Sequence, residues 1–346
     1  MSVAVGSGRF LRACRRQGVD RTPVWFMRQA GRSQPEYRAL RERYTLLEIC
    51  AHPELVAEVT LRPVEQLGVD AAVLFADIML PLEGIGVGFD LEEGRGPRIH
   101  APLREAADLS ALHTFAPTPT ITAVLDGIRI IRQSSAVPLI GFAGAPFTLA
   151  SYLVEGGPSR EFLQTKSLMH RRTDVWSALL SRLTEMTVDY LRLQIRAGVQ
   201  AVQLFDSWVG CLSPADYAAG VAPFTGAVCA AVTAMDVPLI HFGTNTAGLL
   251  PLMAAAGGDV IGVDWRTGLD DAWSRIGPER GIQGNLDPAV LLAEPAVIAA
   301  HAADVLARAR GRPGHIFNLG HGVLPDTPQD HLRHLVDVVH AHEVHT

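Results

Sequence analysis

Lysine is almost missing from this sequence. Lys166 is the only one in 346 residues, and the remaining basic charge is arginine. That lysine falls in a charged, helical stretch and not at a strand end. Schiff-base chemistry and pyridoxal phosphate therefore have almost nowhere to attach, and no Walker-type phosphate loop is possible. Cysteine is scarce too. Cys14, Cys50, Cys211 and Cys229 are scattered, with no CxxC pair. This gives neither a disulfide framework nor a zinc site, and fits a reducing compartment. Positive charge is in deficit: the net formal charge of −6 argues against general nucleic-acid binding. The N-terminus lacks the apolar core of a signal peptide. Its arginines (Arg9, Arg12, Arg15, Arg16) loosely resemble a transit peptide, but Phe10 and Leu11 suggest an ordinary first helix. The longest uncharged run, Tyr217 to Met235, is built from small residues and contains Pro223. It reads as a buried helix and not as a membrane span. These absences predict a soluble, cytoplasmic chain with no nucleic-acid or membrane partner.

What is present is an apolar rhythm. Hydrophobic residues make up 48% of the chain, enough for a large core. Eight short apolar runs stand out: Val24–Met27, Ala71–Ala76, Leu139–Phe142, Ala201–Phe205, Leu239–Phe242, Val260–Val263, Gly281–Gln283 and His315–Leu319. Each ends in a polar or glycine-rich turn. Helix-like patterns fill the intervals, notably Leu46–Leu67 with Pro53 near a helix start, Ile121–Arg132, Arg160–Ala197 and Pro288–Arg310. Strand and helix alternating eight times predicts a single (β/α)₈ TIM-type barrel domain over residues 1–346. The interval after Asp77 is longer than the others. Its segment Gly84–Ile99 reads as a hairpin, so the barrel carries a hairpin-containing insertion after strand 2. The C-terminal histidines His331, His334, His340, His342 and His345 lack an accompanying acidic cluster. They read as a solvated helix end and not as a metal site.

In such a barrel the site lies at the carboxyl ends of the strands. The first run ends in Arg28 and Arg32 around Gly31, an odd finish for a buried strand but a good carboxylate grip, because the planar guanidinium fork takes carboxylates bidentately. The second ends in Asp77, which reads either as chemistry or as the cap of a following helix. The third leads through Thr148 to Tyr152, which could equally be a core tyrosine with a satisfied hydroxyl. The fourth gives Asp206, Ser207 and Trp208, where the first two could also cap. The fifth contains His241, more naturally a core histidine. The sixth and seventh give Asp264-Trp265, Asn285 and Asp287. The eighth gives Gly320-His321-Gly322, where two glycines leave His321 without packing partners. The set lacks a carboxylate cluster for a hard metal, a His/Cys cluster for zinc and a GxSxG elbow. It points to cofactor-free acid–base chemistry on an anionic substrate.

The residues also resemble a known family. Pro23-Val-Trp-Phe-Met-Arg-Gln-Ala-Gly-Arg32 and Gly141-Phe-Ala-Gly-Ala-Pro-Phe-Thr-Leu-Ala-Ser-Tyr-Leu-Val-Glu-Gly156 are similar to the two fingerprints of the uroporphyrinogen decarboxylases. Phe75-Ala-Asp77, Leu204-Phe-Asp-Ser207, Gly284-Asn-Leu-Asp-Pro288 and Asn318-Leu-Gly-His-Gly322 look familiar as well, in family order. The resemblance implies a homodimeric barrel with no cofactor and no metal. It implies decarboxylation of the four acetate side chains of uroporphyrinogen to methyls, giving coproporphyrinogen on the route to haem. It carries binding and catalytic positions onto Arg28, Arg32, Asp77, Tyr152, Ser207 and His321, with Asp77, Arg28 and His321 as the catalytic set. Ser33-Gln34 departs from the pattern, since relatives usually have an aromatic and then an aliphatic residue there, which bears on the packing of that loop. Similar barrels transfer methyl groups to corrinoid carriers with zinc held by one histidine and two cysteines. Here His241-Phe-Gly243 and Gly320-His321-Gly322 lack those thiolates. A non-catalytic tetrapyrrole-binding protein is the other alternative, and it would be expected to have lost one of the carried-over residues.

Overall fold

The computed structural model describes residues 8–92 and 94–342. Nine strands are present among them: β1 (Ala72–Val73), β2 (Phe89–Glu92), β3 (Gly96–Ile99), β4 (Leu139–Gly144), β5 (Ala201–Asp206), β6 (Leu239–Gly243), β7 (Val260–Gly262), β8 (Gly281–Gln283) and β9 (His315–Ile316). Seven form a parallel sheet in the order β1-β4-β5-β6-β7-β8-β9. Parallel strands covered on both faces read as continuous apolar runs, and β4 and β6 are buried at every position.

The eighth position is filled differently. Val24–Met27 is not a ladder strand. Val24 makes a single parallel bridge to Phe317. Around it the Phe317 N–H donates to Pro23 O at 2.8 Å and the Asp70 N–H to Val24 O at 2.8 Å. The segment thus lies between β9 and β1 and closes the ring. Pro23 has no N–H to contribute, and the N–H of Val24 is taken by the Asp70 carboxylate at 2.8 Å, which breaks the ladder pattern. The same carboxylate receives Arg9 at 2.5 Å and His340 at 2.7 Å. Burial works against the Asp70 charge, but these donors outweigh it and hold the carboxyl below its ordinary range.

Eight helices alternate with these eight positions: Pro53–Leu67, Pro119–Ser134, Thr173–Ala197, Ala222–Thr233, Leu250–Ala256, Leu269–Ile276, Pro295–Ala309 and Gln329–Ala341. Several begin on proline, whose fixed φ suits the first turn and whose missing N–H costs nothing there. The expected helix Leu46–Leu67 is two helices, because Pro53 pushes His52 out of the helical region (φ −117°, ψ 104°). Arg160–Ala197 likewise divides at Arg172 (φ −136°, ψ 65°). The uncharged run Tyr217–Met235 falls on two helices, Pro214–Gly220 and Ala222–Thr233, bent by 59°, and among the described residues no single helix is long and apolar enough to cross a membrane.

β2 and β3 pair antiparallel as a hairpin. It is fastened to helix Pro146–Glu155 by Ile99 N–H to Gly156 O at 2.9 Å and Leu103 N–H to Leu153 O at 3.0 Å. Beneath it lies a second apolar cluster that includes Phe89, Ile99, Phe147, Leu153 and Trp176. The C-terminal histidines are not simply solvated. His331 and His334 bond the carbonyls of Leu291 and Pro295, and His340 is tied to Asp70. His345 lies outside the described residues.

Candidate active site

The carboxyl ends of the strands open into a cavity of about 590 Å³. Arg28, Arg32, Asp77, Tyr152, Ser207 and His321 all line it.

Arg28 sits in the left-handed region at φ +62°, unusual for a residue with a side chain. The turn is held by Gln29, which is fully buried. Its Oε1 accepts the Phe26 N–H at 3.0 Å, and its Nε2 donates to Ala71 O at 3.1 Å. The Arg28 stem lies along Gly322, where a Cβ would come within 2.5 Å of Arg28 Cδ. Among the described residues, neither Arg28 nor Arg32 has a hydrogen-bond or ion-pair partner for its guanidinium. An arginine pair left unpaired beside a cavity is ready to accept carboxylates.

Asp77 is half-buried. Its Oδ1 accepts the Met79 N–H at 2.8 Å, so the local turn does use one oxygen. Removal from water pushes its pKa above the ordinary carboxylate range, while the Met79 bond and the positive charge of Arg28 partly offset this. Tyr152 is pushed up to about 12, chiefly by burial, although the Trp208 side chain hydrogen-bonds it. Its hydroxyl therefore keeps its proton. The Tyr152 and Trp208 rings meet edge to face at 6.0 Å. His321 Nδ1 accepts the Gly322 N–H at 2.7 Å. Burial, then Arg28 and Arg266, lowers its pKa to about 4. At neutral pH it is an uncharged imidazole with its hydrogen on Nε2. In that state it can donate a hydrogen bond from Nε2 but is not the imidazolium that would serve as a general acid near neutrality.

The other strand-end residues have structural work. Asp264 accepts the Asn245 N–H at 2.6 Å and holds Arg266. Asn285 Nδ2 donates to the carbonyls of Asp264 and Thr267, and Asp287 caps the turn Pro288–Leu292. Asp206 and His241 are fully buried and face each other at 3.6 Å. Asp206 does not cap a helix.

Sequence reasoning missed the floor of the cavity. Phe142, Phe205 and Phe242 come from three adjacent strands and line the site together, stacked edge to face at 5.5 and 5.9 Å. Each is the last residue of its apolar run, the signal that could have marked it. Tyr37, Arg41 and the hairpin residues Leu91, Arg95 and Pro97 also line the cavity.

The family model for uroporphyrinogen decarboxylase matches residues 6–342. The chain belongs to the uroporphyrinogen decarboxylase family. It is 54% identical over 339 residues to uroporphyrinogen decarboxylase of Chloroflexus aurantiacus, covering 96% of each chain. It is 56% identical over 335 residues to that of Sorangium cellulosum, again covering 96% of each. A solved methyltransferase from Methanosarcina mazei superposes with a TM-score of 0.76 over 96% of this chain and 97% of that one, at 22% identity. That likeness speaks for the barrel fold alone. As a decarboxylase-family barrel, the chain accommodates Ser33 and Gln34 through side-chain hydrogen bonds. Both are buried, Ser33 accepts from Gln329 at 3.0 Å, and Gln34 donates to Gln66 at 3.0 Å. Zinc does not fit the donor set: among the described residues no group of three His, Cys, Asp or Glu side chains could hold a metal ion.

Proposed function

We propose that this chain is a carboxy-lyase that removes carbon dioxide from the acetate side chains of uroporphyrinogen, in haem and tetrapyrrole biosynthesis. One observation carries the reading. Among the described residues, the Asp77 carboxylate, which no cationic side chain bridges, shares a cavity lined by Phe142, Phe205 and Phe242 with two guanidiniums, Arg28 and Arg32, that have no partner.

The substrate brings many carboxylates and four inward-pointing pyrrole N–H groups. Arg28 and Arg32 supply fixed counter-charges for the carboxylates in a protein of net charge −6. Tyr152, Ser207 and the Nε2–H of His321 supply hydrogen bonds to the same groups. Asp77, with one oxygen free of the local turn, accepts the pyrrole N–H groups at the centre. A ring held at its centre can turn and present each acetate in succession to the same residues. The chemistry needs a place for an electron pair. A proton added to the ring carbon beside the acetate makes the pyrrole cationic. The bond to the carboxyl carbon then breaks, its electron pair enters the ring, and carbon dioxide leaves. A second proton reaches the exocyclic carbon, and the ring proton departs. The net change is one proton taken up and one carbon dioxide released for each methyl formed. Asp77 offsets the developing cation in a cavity lined by Phe142, Phe205 and Phe242, where charge is screened less than in bulk water. Arg28 and His321 hold the reacting carboxylate.

Anaerobic incubation of the protein with uroporphyrinogen, followed by oxidation and separation of porphyrins by carboxylate number, tests this. Steps from eight carboxylates to four support it; an unchanged eight-carboxylate pool rejects it. The reading includes a homodimer, as the family resemblance implies, in the cytoplasm, as the composition suggests, and sedimentation at twice the mass of one chain is the expected result.

A further inference from the structure

Asp206 is an oddity that the proposed mechanism leaves unused. It is fully buried, as is its neighbour His241. Its Oδ2 has no hydrogen-bond donor and lies 3.6 Å from His241 Nε2. Its Oδ1 accepts the Thr148 hydroxyl at 3.2 Å, and the same hydroxyl oxygen accepts the Trp208 N–H at 3.4 Å. A buried carboxylate is expensive to keep where an apolar residue would pack. Its one hydrogen bond, the acceptance of the Thr148 hydroxyl, joins two elements that line the cavity.

Thr148 stands in helix Pro146–Glu155, one turn before Tyr152. Asp206 ends β5, directly before Ser207 and Trp208. The Thr148–Asp206 bond therefore ties together the two elements that carry Tyr152, Ser207 and Trp208 into the cavity. We propose that Asp206 and Thr148 are positioning residues. They fix the register of helix Pro146–Glu155 against β5, and so set the Tyr152 and Ser207 hydroxyls at the spacing that holds one substrate carboxylate while another reacts. This rests on the decarboxylase reading of the same cavity.

The test compares Thr148→Val, which keeps the shape and removes the hydroxyl, with Thr148→Ser, which keeps the hydroxyl. Asp206→Asn keeps an acceptor oxygen for Thr148 and serves as a second rescue. Melting temperature is followed for each. Thr148→Val should raise KM about three- to tenfold with a smaller change in kcat, as loss of one hydrogen bond would. Porphyrins of seven, six and five carboxylates should accumulate, because the substrate is held poorly between steps. Thr148→Ser and Asp206→Asn should stay close to wild type. A purely structural role would instead lower the melting temperature and leave KM and the pattern of intermediates unchanged, which overturns the proposal. So does a Thr148→Val protein indistinguishable from wild type. Should the wild-type protein itself fail to decarboxylate, the parent reading falls first, and the two failures are told apart by that control.

Discussion

Asp77 carries two signs that can be measured apart. Its folded pKa is raised, so ionisation opposes folding: its contribution favours the fold when protonated at low pH and is lost as pH rises through the raised pKa. At neutral pH Asp77→Asn should therefore leave the melting temperature unchanged or higher, while lowering turnover at least about a hundredfold. The charge needed for catalysis is the one disfavoured by burial, so kcat/KM should fall on the acid side at a pH above the ordinary carboxylate range. Pyrrole N–H groups in the complex favour the ionised form, so the corresponding limb in kcat should lie lower. His321 gives the opposite test. With a pKa near 4 it does not titrate near neutrality. His321→Asn should lower activity but keep the shape of the pH profile between about pH 6 and 8. Gly322→Ala would press a methyl to 2.5 Å from Arg28 Cδ, so KM should rise several-fold with little loss of stability. Arg28 and Arg32 were legible in sequence because two charges ending a buried run make little structural sense. The protonation states of Asp77, Tyr152 and His321 were not, since they depend on burial and on charges from distant strands.

At the scale of elements, the strand ends were legible and the strand lengths were not. Apolar runs placed every position of the ring, because residues covered on both faces of a parallel sheet must be apolar. They overstated the ladder at Val24–Met27, where Pro23 and the Asp70 carboxylate replace backbone partners, a contact across 46 residues of chain. Helix breaks at Pro53 followed from local chemistry; the break at Arg172 had no comparable signal. The hairpin β2–β3 borders the cavity through Leu91 and Pro97, and its turn depends on Gly96 at φ +89°, where a Cβ would also meet Pro158 at 3.0 Å. Gly96→Ala should cost about 1–2 kcal/mol in chemical denaturation and raise KM, because the hairpin shifts against helix Pro146–Glu155. Wild-type KM in that variant would show that the hairpin does not shape the site.

For the whole molecule, closure of the ring concentrates on Asp70, which joins Arg9 from the first helix, Val24 at the eighth position and His340 from the last helix. Asp70→Asn should lower stability by about 2–3 kcal/mol. Its depressed pKa gives stability that is present above the unfolded pKa and lost as pH falls through the folded one, so the variant and wild type should converge in melting temperature in acid. The closed ring brings the ends of separate strands to one cavity, and in the reaction proposed there each acetate loses carbon dioxide and gains one hydrogen from solvent. Mass spectrometry of the product formed anaerobically in deuterium oxide reads this directly. The expected result is a four-carboxylate product in which each new methyl carries one deuterium. A product with no deuterium in those methyls, or a substrate that keeps all its carboxylates, would contradict it.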